Sequence, residues 1–343
     1  MDYVFEFVKN NKFEIFGFFA LTSSLYLFKY KYMGGKSYYS KVRLDGKTVI
    51  VTGANSGIGF ETALDLSKRG STVILACRDM NKANKSLAKI KKISKNNNVF
   101  VEEIDLANLD SVKEFSNRIL LKYDKLNILI NNAGVAFCPK SLTVNNLDYQ
   151  FQVNYLGHYL LTRLLLDRLV ESSSIESPSR IINVTSILYK SAKIDWDDIN
   201  FKFSRIYNPS EAYKQSKLCN ILFSSNLIEF IKSNYKNNNK KINVFSVSPG
   251  IVLTNLGQHS IRNSSFLIKI CYILFYPIIW FLMKTPNQGA QTQIYCAVEK
   301  NLEPNQNKLF RNLEQIDLNE NAKNKDDAVR LWKLSEEYVK KWI

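Results

Sequence analysis

Tyr213 and Lys217 are the residues whose types and spacing point most directly to chemistry. They stand four positions apart in a stretch, Tyr213–Phe230, whose pattern predicts a helix, so their side chains share one helical face. A tyrosine has an ordinary pKa of about 10, and a nearby ammonium group is expected to lower that pKa by favouring the phenolate. Such a pair can exchange a proton with a carbonyl or alcohol oxygen, although a lone Tyr-x-x-x-Lys also arises by chance.

Two further polar residues could join this pair. Ser186 follows a predicted strand and could hydrogen-bond the reacting oxygen, whereas Asn154, in a predicted helix, could hold a water beside Lys217. His158 lies in the same helix, where a packed core residue is a simpler interpretation than a base. The candidate catalytic residues are therefore Asn154, Ser186, Tyr213 and Lys217, of which Tyr213 and Lys217 are also candidates for binding a cofactor.

Short apolar segments alternate with helical ones from Lys47 onward. This alternation predicts β-α-β units in a single doubly wound parallel sheet, an α/β fold that binds ligands at the carboxyl ends of its strands. Strands are predicted over Thr48–Thr52, Thr72–Ala76, Val99–Ile104, Leu126–Ile130, Arg180–Val184 and Ile242–Val247. Helices are predicted over Phe60–Arg69, Lys82–Ile93, Asp110–Leu121, Leu147–Leu169 and Tyr213–Phe230.

A glycine-rich turn, Thr52-Gly53-Ala54-Asn55-Ser56-Gly57-Ile58-Gly59, follows the first strand. Glycines allow a tight turn and close approach to a pyrophosphate, whose charge the free N–H groups of the next helix would receive. An ordinary strand–helix turn is the alternative, but the position in a first β-α-β unit favours a Rossmann-type dinucleotide site. Its candidate cofactor-binding residues are Gly53, Asn55, Ser56, Gly57, Ile58 and Gly59.

Arg78 stands at the end of the second strand, where an NAD-binding fold usually carries an acidic residue for the ribose 2′-hydroxyl. A guanidinium group suits a 2′-phosphate, so NADP(H) is the predicted cofactor, with a plain surface arginine as the alternative. Asp105, which follows the third strand and precedes Leu106, could accept a hydrogen bond from the adenine amino group. Arg78, Asp105 and Leu106 are thus further cofactor-binding candidates.

The ends of the fourth and sixth strands supply the remaining candidates. Small residues after the fourth strand permit close approach to the cofactor, and after the sixth strand Ile251 could contact the nicotinamide carboxamide and Thr254 a phosphate. The candidates at these two ends are Asn132, Ala133, Gly134, Pro249, Gly250, Ile251 and Thr254.

These motifs together resemble the short-chain dehydrogenase/reductase superfamily. They stand in that family's order over roughly Lys47 to Lys300 and comprise Thr52–Gly59, Asn131–Gly134, Asn154, Ser186, Tyr213-x-x-x-Lys217 and Pro249-Gly250. The resemblance implies that the serine, tyrosine, lysine and asparagine form a catalytic tetrad, and that the glycine turn binds a dinucleotide.

Several segments resemble the microsomal retinol dehydrogenases more narrowly: Leu75–Asp79, Phe151–His158, Ser216–Leu218 and Lys284–Thr292. The extended interval between Ser186 and Tyr213 is also similar. The resemblance implies a membrane-anchored enzyme that prefers NADP(H) and acts on retinoids and other lipophilic aldehydes. One departure is Phe60, where several relatives carry a basic residue, so the NADP(H) preference depends mainly on Arg78.

The N-terminal segment predicts a membrane anchor. Residues 15–28 are free of charge, and Lys12, Lys29 and Lys31 could snorkel from its ends. The positive excess that follows predicts a catalytic domain in the cytoplasm. The resemblance to the microsomal retinol dehydrogenases implies the endoplasmic reticulum as the membrane. A helix lying on the membrane surface, or packed on the domain, is the alternative.

A second apolar stretch, Phe266–Met283, contains Pro277 and Lys269, which weaken a second membrane span. We expect residues 260–285 to form a lid over an apolar substrate pocket, partly dipping into the membrane; a buried helix pair is the alternative. Near the C-terminus, Leu331, Leu334, Tyr338 and Trp342 form one helical stripe over Ala328–Trp342, which predicts packing against the domain. The predicted organisation is an anchor over 1–44, a dehydrogenase domain over 45–300 and an extension over 301–343.

Composition narrows the class of partner. The 343-residue chain has a net charge of +16, but its lysines are dispersed and no nucleic-acid-binding signature is present, so no nucleic acid is expected. Five scattered cysteines and two histidines show no metal-ligand spacing, so no metal is expected. A homo-oligomer is left open. The favoured function is interconversion of a lipophilic alcohol and its aldehyde or ketone; the alternatives are a sterol or fatty-chain ketone reductase and a non-catalytic dinucleotide-binding regulatory protein.

Overall fold

The computed structural model describes residues 11–12, 22–24, 26–29, 34–203, 206–235, 240–254, 256, 275–302 and 308–343. Within them, strands alternate with helices and form an eight-stranded sheet of order β3-β2-β1-β4-β5-β6-β7-β8. All pairings are parallel except that of β7 with β8, so the predicted doubly wound α/β fold is confirmed. The strands are β1 (Thr48–Thr52), β2 (Thr72–Cys77), β3 (Val99–Glu103), β4 (Ile128–Asn131), β5 (Ser179–Val184), β6 (Ile242–Val247), β7 (Leu309–Arg311) and β8 (Glu314–Ile316).

Helices cover both faces of this sheet. Because β1, β4, β5 and β6 are buried along their whole length, their apolar side chains form a separate core on each face. The helices are α1 (Gly57–Lys68), α2 (Met80–Ser94), α3 (Leu109–Lys122), α4 (the consecutive pieces Tyr149–Phe151, Gln152–Leu156 and Gly157–Glu171), α5 (Pro209–Asn234), α6 (Pro286–Val298), α7 (Glu320–Lys323) and α8 (Lys325–Val339). The order of strands reverses between β1 and β4, the point at which such sheets bind ligands.

A widened turn lies near the N-terminal end of α4. Gln152–Leu156 is π-helical, between an α-helical start and a long α-helical remainder. Asn154 is the central residue of this turn and is fully buried. Single π-helical turns occur frequently at functional sites, because the extra residue redirects the side chains around it.

Helix α5 begins earlier than predicted. The side chain of Asn208 caps it by accepting hydrogen bonds from the backbone N–H groups of Ser210 and Glu211, and Pro209 occupies its first position. Tyr213 and Lys217 therefore lie well inside a long, regular helix, and both are buried. A rigid helix fixes their separation and direction.

The C-terminal part of the chain extends the same sheet. Strand β7 pairs with β6, and the turn to β8 places Asn312 and Leu313 at left-handed φ angles of 52° and 64°. Leu331 on α8 is fully buried, and the other residues of its predicted stripe pack against the core. The strands β7 and β8 were not predicted, because three-residue strands carry too little alternation to be recognised.

Residues 34–44, here called the strap, run along the surface of the domain. The backbone N–H of Tyr38 donates to Gln291 Oε1 at 2.9 Å, and its hydroxyl donates to Glu299 at 3.2 Å. Arg69 donates to the carbonyl oxygens of Ser40 and Val42 at 2.9 and 3.0 Å. These bonds attach the strap along its length to α6 and to the end of α1.

The predicted anchor and lid lie largely outside the described residues. Among the residues that are described, no helix is long and apolar enough to cross a membrane. Two aromatic pairs join the N-terminal segment to the helix over 275–282: Tyr26 stacks on Trp280, and Phe28 on Phe281, with centroids 6.5 and 6.2 Å apart. The ammonium of Lys29 lies 3.3 Å from the centroid of the Trp280 ring. The described parts of the predicted anchor and lid thus contact each other.

Candidate active site

The glycine-rich turn leaves room for a dinucleotide. Gly53 and Gly57 adopt left-handed φ angles of 66° and 57°, which favour glycine. A Cβ atom at Gly59 would lie 2.5 Å from the carbonyl oxygen of Gly53, so this position admits no side chain. Ser56 precedes α1 without capping it through its side chain, and the first turn of α1 carries no acidic residue. The turn therefore offers open N–H groups and a positive helix end, which fit a pyrophosphate.

A cavity of about 370 Å³ opens at this turn and runs along the carboxyl ends of the strands. Most residues predicted to bind cofactor line it: Gly53, Asn55, Ser56, Gly57, Ile58, Gly59, Arg78, Asp105, Leu106, Asn132, Ala133, Gly134, Tyr213, Lys217, Pro249 and Thr254. Gly250 and Ile251 do not line it. Gly250 has a φ of 86°, and the chain then turns so that Ile251 is 65% exposed.

Arg78 projects into the end of the cavity that β2 and β3 form. Its guanidinium donates to the hydroxyl of Tyr149 at 2.9 Å and lies 3.9 Å from a carboxylate oxygen of Asp105. The Arg78 side chain is 60% exposed, so most of its donors face the cavity or solvent. Tyr149 and Lys82 also line this end but were not predicted; Lys82 could have been suggested by its place one helical turn beyond Arg78.

Tyr213 lies at the opposite end of the cavity, where it is buried beside the ring of Phe137, with centroids 5.2 Å apart. The side chain of Ser186, which follows β5, lies near the Tyr213 hydroxyl. Burial raises the pKa of Tyr213 to about 12, and the nearby Ser186 side chain acts in the lowering direction. The prediction that Lys217 lowers this pKa is wrong for the protein alone, because burial of the phenol dominates. Tyr213 is therefore a neutral phenol near pH 7.

Lys217 and Asn154 meet beside Gly134. The Lys217 ammonium donates to the carbonyl of Val184 at 3.1 Å. A Cβ atom at Gly134 would lie 3.5 Å from Lys217 Nζ and 3.2 Å from Asn154 Oδ1, so all three groups converge. Burial lowers the pKa of Lys217 to about 8. The amide of Asn154 accepts from the backbone N–H of Val135 at 2.8 Å and donates to its carbonyl at 2.9 Å.

These positions bring the four predicted catalytic residues together. The Tyr213 phenol, the nearby Ser186 hydroxyl, the buried Lys217 ammonium and the fixed Asn154 amide can together hold an oxygen atom, give it a proton and stabilise the resulting charge. The glycine turn and Arg78 lie at the other end of the same cavity. The arrangement therefore fits proton transfer next to a bound dinucleotide.

Activity should fall as the pH rises above about 8, because the buried Lys217 then loses its proton and its charge. The expected result is a kcat/KM for NADPH that is constant near neutral pH and declines on the alkaline side, since this ratio reports groups of the free enzyme. Lys217→Arg should remove the decline because a guanidinium keeps its charge. Lys214→Arg, in a half-buried ion pair with Glu211 on the same helix, should retain it. A decline that persists unchanged in Lys217→Arg would assign it to another group.

Comparisons with known proteins agree with this geometry. The profile of the short chain dehydrogenase family matches residues 47–196. Mouse (Mus musculus) retinol dehydrogenase 13 is 40% identical over 302 residues, which cover 88% of this chain and 86% of that protein. Mouse retinol dehydrogenase 12 is 38% identical over 305 residues, which cover 89% and 90%.

Solved structures show the same fold. A crystal structure of an uncharacterised protein from Mycobacterium paratuberculosis matches with a TM-score of 0.69 and 30% identity, covering 89% of this chain and 98% of that one. A short chain dehydrogenase from Shigella flexneri 2a, solved complexed with NADP, matches with a TM-score of 0.56 and 19% identity over 76% of this chain and 94% of its own. The chain thus belongs to the short-chain dehydrogenase/reductase family of oxidoreductases, and within it is similar to the retinol dehydrogenases 11 to 14.

Proposed function

We propose that this chain is an NADP(H)-dependent oxidoreductase that interconverts a lipophilic alcohol and its aldehyde or ketone, with a retinoid-like carbonyl compound as the favoured substrate. The observation that carries the proposal is that Tyr213 and Lys217 line one end of a cavity whose other end holds Arg78. Ser186 lies beside Tyr213, and Asn154 lies beside Lys217. A single elongated ligand could span both ends.

The cofactor would be held along the carboxyl edge of the sheet. The open N-terminus of α1 would receive the pyrophosphate, Arg78 would receive the 2′-phosphate, and the segment Asn132–Gly134 would face the nicotinamide half. When bound, the cofactor supplies or accepts a hydride at the carbonyl carbon. Relatives of the same fold include one solved with NADP, which supports the choice of dinucleotide class.

The chain's own residues handle the oxygen and its proton. Ser186 orients the carbonyl oxygen, and Tyr213, protonated near neutral pH, gives its proton to that oxygen as the alcohol forms. The Lys217 ammonium, 5.8 Å from the centroid of the Tyr213 ring, stabilises the phenolate that remains, and it would hold the nicotinamide ribose. Asn154 fixes the backbone of Val135 and supports a water beside Lys217. A neutral Tyr213 suits the direction of carbonyl reduction.

The substrate class rests on the apolar surface next to the site and on family likeness. Phe275, Ile278 and Leu282 of the helix over 275–282 are each more than half exposed. Val252, in the loop after β6, forms a β-bridge with Lys284, which lies just beyond this helix. Because Pro249 and Thr254 of the same loop line the cavity, the end of the helix lies near the cavity mouth. We further propose that the N-terminal segment holds the chain at a membrane, with the catalytic domain in the cytoplasm, so that an apolar substrate enters from the bilayer.

The test is NADPH oxidation by the full-length, detergent-solubilised protein with all-trans-retinal and with a medium-chain aldehyde, with NADH in parallel. Turnover with NADPH and little turnover with NADH is the expected result. Turnover only with sterol or fatty-chain ketones would change the substrate class, and NADPH binding without turnover on any carbonyl compound would favour the non-catalytic reading.

A further inference from the structure

His158 is a fully buried residue of α4, and its side chain packs against the end of β1 next to the candidate active site. Its Nε2 atom is 2.9 Å from the hydroxyl of Thr52, and its Nδ1 atom is 3.1 Å from the carbonyl oxygen of Asn154. Neither contact is part of the chemistry proposed above. The two contacts lead to different parts of the site. Thr52 ends β1 at the glycine-rich turn, whereas Asn154 occupies the π-helical turn and is a candidate catalytic residue.

The hydrogen bonds of Thr52 determine which nitrogen of His158 carries the proton. The Thr52 hydroxyl oxygen accepts from the backbone N–H groups of Asn132 and Ala133, both at 2.9 Å, and these two bonds use both of its lone pairs. A third donor, from a protonated Nε2 atom, would have no lone pair to accept it. The hydroxyl proton must then point outward, and the His158 nitrogen at 2.9 Å is a nearer acceptor than the Ile130 carbonyl at 3.3 Å.

The other nitrogen leads to the same assignment. A carbonyl oxygen can only accept, so the contact with Asn154 requires a proton on Nδ1. Burial lowers the pKa of His158 to about 3, so the ring is neutral and holds only one proton near neutral pH. The proton positions along the path then agree with one another. The N–H groups of Asn132 and Ala133 donate to the Thr52 hydroxyl, which donates to His158 Nε2, and Nδ1 donates to the Asn154 carbonyl.

We infer that His158, as its Nδ1-protonated tautomer, is a positioning residue that locks the π-helical turn carrying Asn154 to the Asn132–Ala133 turn that faces the cofactor. The inference deepens the proposed function and rests on it for the roles of these two turns. The Asn154 side chain is already hydrogen-bonded to the backbone of Val135. His158 adds a second attachment, because it is bonded to the backbone carbonyl of Asn154. Two attachments fix both the position and the rotation of the turn, and with them the amide beside Lys217.

The tautomer is tested by long-range ¹H–¹⁵N NMR correlation on the full-length protein with ¹⁵N-labelled histidine. The chain has two histidines, so His259→Gln leaves the signals of His158 alone. The expected spectrum shows a protonated Nδ1 and an unprotonated Nε2, unchanged between mildly acidic and mildly alkaline pH. This form is the minor one for free histidine in water. A protonated Nε2, or a titration near neutral pH, would overturn the inference.

The positioning role is tested by kinetics on the same protein. Thr52→Val and His158→Asn each break the bond between Thr52 and His158, and each should lower kcat about tenfold or more, since small displacements of catalytic groups are costly. The KM for NADPH should change less than kcat does. Thr52→Ser restores the hydroxyl and should recover most of the loss, and the double variant should be no worse than the poorer single one. Additive losses, or a Thr52→Ser variant as impaired as Thr52→Val, would contradict the role.

The two kinds of failure remain distinguishable. Absence of turnover in the unsubstituted protein with the Nδ1-protonated tautomer intact would refute the proposed function and leave the hydrogen-bonded path standing. The opposite tautomer in an active enzyme would refute the path and leave the function standing.

Discussion

Tyr213→Phe should reduce kcat for carbonyl reduction by about a thousandfold, within the range that loss of a general acid produces. The substitution removes only the hydroxyl, because the phenylalanine ring can keep the packing against Phe137. The variant keeps Ser186 beside the reacting oxygen but lacks the buried phenol that donates the proton. Single-turnover NADPH oxidation measures the loss directly.

The matched control is Tyr235→Phe, at the C-terminal end of the same helix. Its hydroxyl donates to Asp167 on the surface, far along α5 from the cavity. This variant should keep the kcat of the unsubstituted enzyme, and both variants should bind NADPH as the unsubstituted enzyme does. A Tyr213→Phe enzyme that retains more than about a tenth of the original kcat would exclude the tyrosine as the general acid, because such catalysis contributes at least a hundredfold.

Arg78→Gln should lower kcat/KM for NADPH by about ten- to a hundredfold, since charge-assisted hydrogen bonds to a phosphate are worth about 1.5–3 kcal/mol. The value for NADH should change little, because that cofactor has no 2′-phosphate to contact. The guanidinium is available for this role: its nearest carboxylate oxygen, on Asp105, lies at 3.9 Å, too far for a strong ion pair. Steady-state kinetics with both cofactors gives the ratio.

Arg118→Gln serves as the control for loss of a surface charge. Arg118 pairs with Glu102 at 3.3 Å and does not line the cavity. It should leave the NADPH to NADH ratio unchanged. Equal losses for both cofactors in Arg78→Gln would show that Arg78 does not bind the 2′-phosphate. Its role would then be to support the shape of the pocket through its hydrogen bond to Tyr149.

Residue types at fixed places in a β-α-β pattern could be predicted; contacts that depend on packing could not. The glycine turn, Arg78 and the tyrosine–lysine pair each follow from a local pattern, and the structure places all of them on one cavity. The direction of the Tyr213 pKa was missed because the extent of burial is a tertiary property. The role of Thr52 was missed because it depends on the fit of the β1 end against the turn after β4, which periodicity does not encode.

The helix that carries Asn154 illustrates the same limit at the level of secondary structure. Its extent was predicted within about two residues, an ordinary error at helix ends. The π-helical turn near its N-terminal end was not predicted, since an apolar pattern with a period of 3.6 residues tolerates one inserted residue without a visible break. Likewise, nothing in the polar sequence around Tyr38 indicated that it would be bonded to Gln291 and Glu299.

The strap has a mechanical consequence. A flexible linker lets a tethered domain rotate freely, so the effective concentration of that domain near its target depends on the length of the linker. Here the strap is hydrogen-bonded to α6 through Tyr38 and to Arg69 through Ser40. At its start, Gly35 lies so close to Lys284 that a Cβ atom would touch the Lys284 side chain. Lys284 itself borders Gly250 in the loop that follows β6. From Gly35 onward the strap is therefore held as part of the domain, and the direction in which the chain enters the domain is fixed relative to the loop that follows β6.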